Sequence, residues 1–418
     1  MSGIYHLTGN PFVDSGIVAL CALSKKDSPT KLELSDLRRH ARRLPRWYTR
    51  WKLGVFFGPN PRFSNPAIPR EDRERQYAEY LNSRLEQVRP ASAEGTCAAC
   101  GSRDADVERV FREIHPLTGS GTFLNFFSFF EAGLPLCAAC VLAIQFAPLY
   151  SMSRRGRVVL IHSHDMRLMF NVARDTVRHV LGLTGLGGQL GFYAPRSFAA
   201  RGDEEFLVKL VYRDILPKGD VYYPSPAIRM YLFRNSGQRN ELSYVDLPTQ
   251  AFQFLQEAYT GELNTSLDEL FEQSSSEIYQ RIATGRSIRL FFIDRRGRRV
   301  VGGSKLFELY IKVVEGMDPT RLETIKKVGQ KLSQYLEKTG YKQLRDLEVA
   351  DGYQQFLLEL NRIQKDAVEK KIGPVVEIDD LARLFPESQE GRIFWKETQN
   401  ILLLYIYELM HKEKEVTS

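Results

Sequence analysis

Two stretches, Cys97-Ala98-Ala99-Cys100-Gly101 and Gly133-Leu134-Pro135-Leu136-Cys137-Ala138-Ala139-Cys140, decide how the first part of this chain must fold. A two-residue gap lets both sulfurs of a pair reach one tetrahedral ion at metal–sulfur distances of about 2.3 Å. Gly101 behind the first pair and Gly133-Leu134-Pro135 ahead of the second supply turn chemistry for a knuckle. Four thiolates leave no coordination position for water. The spacing therefore predicts a closed, structural Zn2+ site with Cys97, Cys100, Cys137 and Cys140 as ligands. The stretch between the pairs is long and encloses Phe123-Leu124-Asn125-Phe126-Phe127-Ser128-Phe129-Phe130, so an elaborated knuckle over about 95–141 is expected. Cys21, alone on an apolar helical face, reads as core.

Outward from the knuckle, 418 residues suggest more than one domain. Hydrophobic content of 43% and charged content of 26% are those of a globular protein. The longest apolar runs, such as Ile401 to Ile406, are too short to cross a bilayer, and the start lacks a signal-peptide pattern. A cytoplasmic protein without membrane contact is expected, and paired cysteines in that compartment favour metal over disulfides.

The net charge of +7 is unevenly placed. From Met317 onward about 16 basic residues face about 18 acidic ones, so the excess lies upstream. Between Ser35 and Lys52, Arg38, Arg39, Arg42, Arg43, Arg46, Arg50 and Lys52 face only Asp36. A basic domain joined to a near-neutral one suits a polyanion binder carrying a second module. Arg38, Arg42 and Arg46 are the candidate phosphate contacts.

Ile4 to Leu7 reads as a strand before the turn Thr8-Gly9-Asn10-Pro11, and a helix is expected from about Val13 to Leu23. Ser35 is placed to cap the arginine helix, which Pro45 should kink or end. Leu53 to Phe57 reads as a strand, residues 58–69 as a proline-stiffened loop, and Glu71 to Val88 as a charged helix. Val158 to His162 and Phe206 to Tyr212 read as strands. Ala227 to Phe233 and Glu241 to Leu247 read as a hairpin, and a further hairpin is expected within Ile288 to Val301. From about Ser304 only helical spacing remains: Leu322, Ile325, Val328, Leu332 and Leu336, then Phe356, Leu360, Ile363 and Ala367. The expected fold is α+β: a mixed domain over 1–303 with the inserted knuckle, then an all-α helical bundle over 304–418.

Several of these stretches together resemble the large subunit of type I-B CRISPR Cascade surveillance complexes. Leu7-Thr8-Gly9-Asn10-Pro11-Phe12-Val13-Asp14-Ser15-Gly16 resembles the opening of that family, and the two cysteine pairs are similar to its zinc knuckle. Tyr231-Leu232-Phe233-Arg234-Asn235-Ser236-Gly237-Gln238 with Leu247-Pro248 resembles its hairpin, and the tail behind Met317-Asp318-Pro319-Thr320-Arg321 its helical carboxy-terminal domain, which resembles a Cascade small subunit. The resemblance implies a non-catalytic role in antiviral defence. Such a subunit binds the 5′ end of the CRISPR guide RNA, recognises the motif flanking the target in double-stranded DNA (the PAM), and helps start R-loop formation. It also implies Cascade backbone and small subunits as partners, with a recruited helicase–nuclease or transposition proteins downstream.

The residue chemistry accommodates that role. Asn60, Arg62 and Asn65 lie on the proline-stiffened loop, where amides can read base edges and arginine suits phosphate or a narrow minor groove. Asn235, Gln238 and Arg239 sit at the hairpin tip, although a plain turn needs only Asn and Gly. Asn10 could bond the guide RNA, although Asn before Pro is also a common turn former. An alternative of another class comes from His162-Ser163-His164-Asp165, behind a strand. His162, His164 and Asp165 could centre a metal-dependent RNA- or DNA-processing nuclease.

Overall fold

Thirteen consecutive residues from Ala138 to Tyr150 are buried without exception, and the first of two compact units is organised round them. The computed structural model describes residues 4–58, 65, 67–91, 95–105, 109–118, 132–185, 190–236, 239–294, 296, 298–385 and 395–417. The units comprise Met1–Phe252 and Gln253–Ser418.

In the first unit the helices are α1 (Pro11–Ser24), α2 (Leu34–Ala41), α3 (Leu44–Tyr48), α4 (Gly54–Phe57), α5 (Arg70–Glu86), α6 (Ala138–Tyr150), α7 (Met166–Gly185) and α8 (Asp203–Lys209). Helix α6 is apolar on every side, which requires protein all round it. Its one amide, Gln145, is satisfied: Oε1 accepts from the Tyr77 hydroxyl at 2.9 Å and Nε2 donates to the Val141 carbonyl. The Tyr48 hydroxyl donates to the Gln145 backbone carbonyl. Helix α1 crosses α6 at Gly16, where a Cβ would stand 1.8 Å from the Ala143 carbonyl oxygen. No side chain fits there.

The strands β1 (Met152–Arg154), β2 (Arg157–His162), β3 (Ile228–Ser236) and β4 (Arg239–Leu247) form one antiparallel sheet in the order β1-β2-β3-β4. Val159 faces Leu232, which faces Ser243; Val158 faces Phe233, which faces Leu242. Phe233 packs edge-on against Phe12 and Phe56, so one face of the sheet closes over α1 and α4. Arg154 is fully buried, donating to Asp203 at 3.0 Å and to the carbonyls of Ala200 and Gly202 while lying over Phe206. That contact fixes the start of α8.

The second unit carries the rest of α9 (Thr249–Thr260), then α10 (Asn264–Gln273), α11 (Glu277–Ala283), α12 (Gly303–Val313), α13 (Pro319–Thr339), α14 (Lys342–Val349), α15 (Tyr353–Glu369), α16 (Ile378–Leu384) and α17 (Trp395–Thr417). A two-stranded ribbon, β5 (Ile293–Asp294) with β6 (Arg299–Val300), interrupts the helices. Leu322, Ile325, Val328, Leu332 and Leu336 are all buried, as the helical spacing requires. At Gly329 a Cβ would lie 3.0 Å from the Tyr405 Cβ, so α13 and α17 meet closely there. The fold is thus α+β with a helical carboxy-terminal region, as the sequence reading expects. The division by contacts falls after Phe252 and the change of texture near 304, because three helices precede the ribbon.

Several local expectations need correction. Leu53–Phe57 contains a helical turn: Phe56 and Phe57 are both buried, whereas strand alternation would send one outward. Phe206–Tyr212 is not a strand either. Helix α8 begins with Asp203, Glu204 and Glu205 at its positive end and passes into an i→i+5 turn over Leu210–Ile215. Ile4–Leu7 pairs through isolated bonds, Ile4 N–H to the Leu32 carbonyl among them. Glu33, not Ser35, caps α2, through a capping box with Asp36. Pro45 opens α3, where its missing N–H is harmless.

Candidate metal centre and basic surface

The first cysteine pair is held by backbone bonds that make its loop rigid. Gly95 N–H donates to the Gly101 carbonyl, Cys97 N–H to Arg103, and Gly101 N–H to Cys97. Gly101 has φ of +61°, a conformation that suits glycine. The second pair sits on α6: Cys137 is the N-cap residue and Cys140 lies in the first turn. Ala98 N–H donates to the Pro135 carbonyl and ties the two turns together. Arg103 is buried and anchors the loop, donating to the carbonyls of Ile4 and Arg89. The knuckle is therefore built onto the most buried helix of its unit.

All four sulfurs lie within 4.8 Å of one another, and Cys100 Sγ stands 3.8 Å from Cys137 Sγ. A tetrahedron with metal–sulfur bonds of about 2.3 Å has edges of about 3.8 Å, so the donor set fits a four-thiolate metal site. Cys97, Cys137 and Cys140 are buried and Cys100 is half-buried. The charges fit as well. Hydrogen bonds from the neighbouring thiols, Cys137 foremost, lower the Cys100 thiol, and that sulfur in turn pushes Cys140 upward. Four sulfurs this close cannot all ionise without a cation between them, and the α6 N-terminus favours their negative charge. Among the described residues this is the one place where three or more His, Cys, Asp or Glu side chains converge as a metal site.

His162, His164 and Asp165 do not gather round a point. His162 Nε2 lies 3.1 Å from Asp14, whose carboxylate also accepts from Thr8 N–H, the Thr8 hydroxyl and Gly9 N–H. Asp165 accepts from Arg167 and Leu168 N–H at the start of α7 and pairs with the Arg167 side chain at 2.7 Å. His164 is exposed.

The residues singled out for nucleic acid separate into two groups. Arg38, Arg42 and Arg46 are exposed on α2, its C-cap and α3, together with Arg43, and none has a carboxylate partner among the described residues. Asp36 is already engaged by Lys26 and Arg39. Asn10 and Asn235, by contrast, are occupied by the fold. Asn10 caps α1, accepting from Phe12 and Val13 N–H. Asn235 is buried and donates to the carbonyls of Phe56 and Arg112. Asn65 accepts from Ala67 N–H at 3.0 Å and is half-buried. Asn60, Arg62, Gln238 and the aromatic run 123–130 lie outside the described residues, as does the Arg239 side chain.

Sequence reasoning missed Asp14 and Gly16, two residues of the opening motif. The signal was available: an acid within the first turn of an apolar helix, and a glycine inside it, both need a packing reason.

Fold and site together define an α+β protein with a four-cysteine cluster that could hold a metal ion and, in the same unit, a row of exposed arginines. Residues 91–152 match the family model described as CRISPR-associated protein (Cas_CXXC_CXXC), which covers both cysteine pairs and α6 and indicates a CRISPR-associated protein. No curated protein matches the chain. Among the described residues no helix is long and apolar enough to cross a membrane.

Proposed function

We propose that this chain is the large subunit of a type I-B-like Cascade complex, a zinc-stabilised nucleic-acid-binding protein with no catalysis of its own. In this reading Zn2+ fills the four-thiolate site, where it holds the knuckle on α6 and does no chemistry. The protein holds the 5′ end of a guide RNA, recognises a short motif in the flanking duplex, and leaves cleavage or transposition to recruited partners. Backbone and small subunits complete the complex.

The observation that carries the reading is the row of exposed arginines, without carboxylate partners among the described residues, in the unit that also holds the matched cysteine segment. Guanidinium groups with no internal partner stay available for phosphate, and counterion release makes such contacts favourable. Metal analysis should find one Zn2+ for the four-cysteine cluster. Full-length protein assembled with guide RNA and backbone subunits is expected to enrich one flanking motif from a duplex library randomised beside the target. Uniform recovery of all flanks contradicts the reading.

A further inference from the structure

Two cavities open on either side of the last turn of α7, and both lie in the first unit. The smaller, about 250 Å³, is lined by Arg46 and Arg50 together with Thr184, Gly185 and Leu190. The larger, about 610 Å³, is lined among others by Arg178, His179, Leu183, Tyr193, Arg213 and Lys218. The short segment 190–193 joins them. Leu190 pairs with Trp51 at one end, and Tyr193 pairs with Met152 at the other, accepting from Ser153 N–H at 3.0 Å.

The larger cavity has two acids in its wall, and both are engaged: Asp175 pairs with Lys218 at 2.7 Å, and Asp214 accepts from Ser197 N–H at 3.3 Å. Arg178 is exposed and makes no ion pair among the described residues. His179 and Tyr193 meet edge to face, with ring centroids 5.5 Å apart, and form an aromatic wall. One wall carries Arg213 and Asp214 from the i→i+5 turn, a widened helical geometry found often at functional sites. A simple anion would not need the rings, and an apolar ligand would not tolerate the cations. A heterocyclic base attached to a phosphate satisfies both, and the volume is that of an ordinary ligand site.

We propose that this larger cavity receives one unstacked nucleotide of a single strand whose phosphates follow the arginine surface of α2 and α3. The inference rests on the nucleic-acid reading above and adds a base-binding site to it. His179, Tyr193 and Leu183 receive the base, and Arg178 meets a flanking phosphate. Stacking on aromatic side chains tolerates any base, so the site holds strand without reading sequence.

The test uses the full-length chain and single strands of about 15 nucleotides, within the span one such surface covers. One arm is oligouridylate carrying a single 4-thiouridine, and the other is oligothymidylate carrying a single 4-thiothymidine. Irradiation is expected to cross-link the thio base to residues 178–183 or Tyr193, and the better arm identifies the backbone bound. Tyr193→Ala should weaken binding roughly 5- to 100-fold, the range for losing one stacked base, while Tyr193→Phe retains it. Exposed Arg178→Ala should weaken it several-fold without altering thermal stability. If cross-links fall only along α2 and α3, and Tyr193→Ala and Arg178→Ala bind like the parent, the cavity is overturned while the arginine surface stands. If neither strand binds the parent protein, both are overturned.

Discussion

The two units use the cationic side chains of their helices differently. In the second unit Lys326 pairs with Glu308, Lys327 with Asp380 and Glu377, Lys331 with Glu377, and Lys370 with Asp366. In the first, Arg38, Arg42, Arg43 and Arg46 have no such partners among the described residues. Net charge alone misses this. A lysine held by a carboxylate contributes to helix packing and little to an approaching polyanion, whereas an unpaired arginine contributes its whole charge. A lining of nucleic acid by the helical unit would fall to its other exposed cations, such as Lys305, Lys312, Lys338 and Lys371, which have no carboxylate partner among the described residues, rather than to these paired lysines.

The comparison extends to what holds each unit together, and it can be broken most severely at the metal centre. Cys97→Ser or Cys140→Ser should remove a ligand and destabilise the first unit by on the order of 5 kcal/mol, since structural zinc contributes folding free energy directly. Chelator-treated protein should show a lowered first thermal transition while the helical unit melts as before. Equal melting of both units with and without metal would show that the cysteines are ordinary core.

Gly16→Ala comes next. Its Cβ would fall on the Ala143 carbonyl, against backbone that cannot swing away. We expect a loss of about 3 kcal/mol, toward the upper end for overpacked cores, read as a lower denaturant midpoint. Gly329→Ala in α13, where the nearest atom is a side-chain Cβ at 3.0 Å, should lose less. Equal losses would mean that the two helix crossings are alike.

Acid should also separate the units. His40 and His115 in the first unit are both pushed down to about 4, in each case chiefly by burial. The Arg39 and Arg43 charges add to the effect at His40, whose ring nitrogens have no hydrogen-bond partner among the described residues. Their folded values lie below the unfolded value of about 6.5, so the unfolded chain takes up protons first. Stability is therefore full above about pH 6.5 and falls as the pH drops toward 4, by on the order of 1–3 kcal/mol. Denaturant midpoints of the first unit at pH 7 and pH 5 measure this, and His40→Phe should flatten the dependence. An unchanged slope in that variant would remove His40 as a cause.

Much of this was legible beforehand, and the exceptions have a common origin. The cysteine spacing, the hairpin 228–247 and the stripe on α13 are local patterns whose geometry follows from a fixed period. Leu53–Phe57 and Phe206–Tyr212 are short apolar runs in which strand and buried helix look alike, and burial on every side decided for helix. Asn10 and Asn235 looked like reading heads because an amide is equally good at closing a turn or meeting a base. Only the positions of Phe12, Val13, Phe56 and Arg112, the last two far from Asn235 in sequence, show that the amides are spent on backbone. Asp14 was passed over because its partner His162 is 148 residues distant.

The central claim is that polyanion binding belongs to the unpaired arginines of the first unit, and the salt dependence of binding tests it most directly. Binding of the full-length chain to a single-stranded RNA should be measured across a range of salt for the parent, for Arg42→Ala with Arg46→Ala, and for Lys327→Ala with Lys331→Ala. The account predicts that the arginine pair weakens binding at low salt and flattens the slope by about 0.7 for each lost phosphate contact, with the lysine pair superimposing on the parent. A flattened slope in the lysine variant, or an unchanged one in the arginine variant, would contradict it.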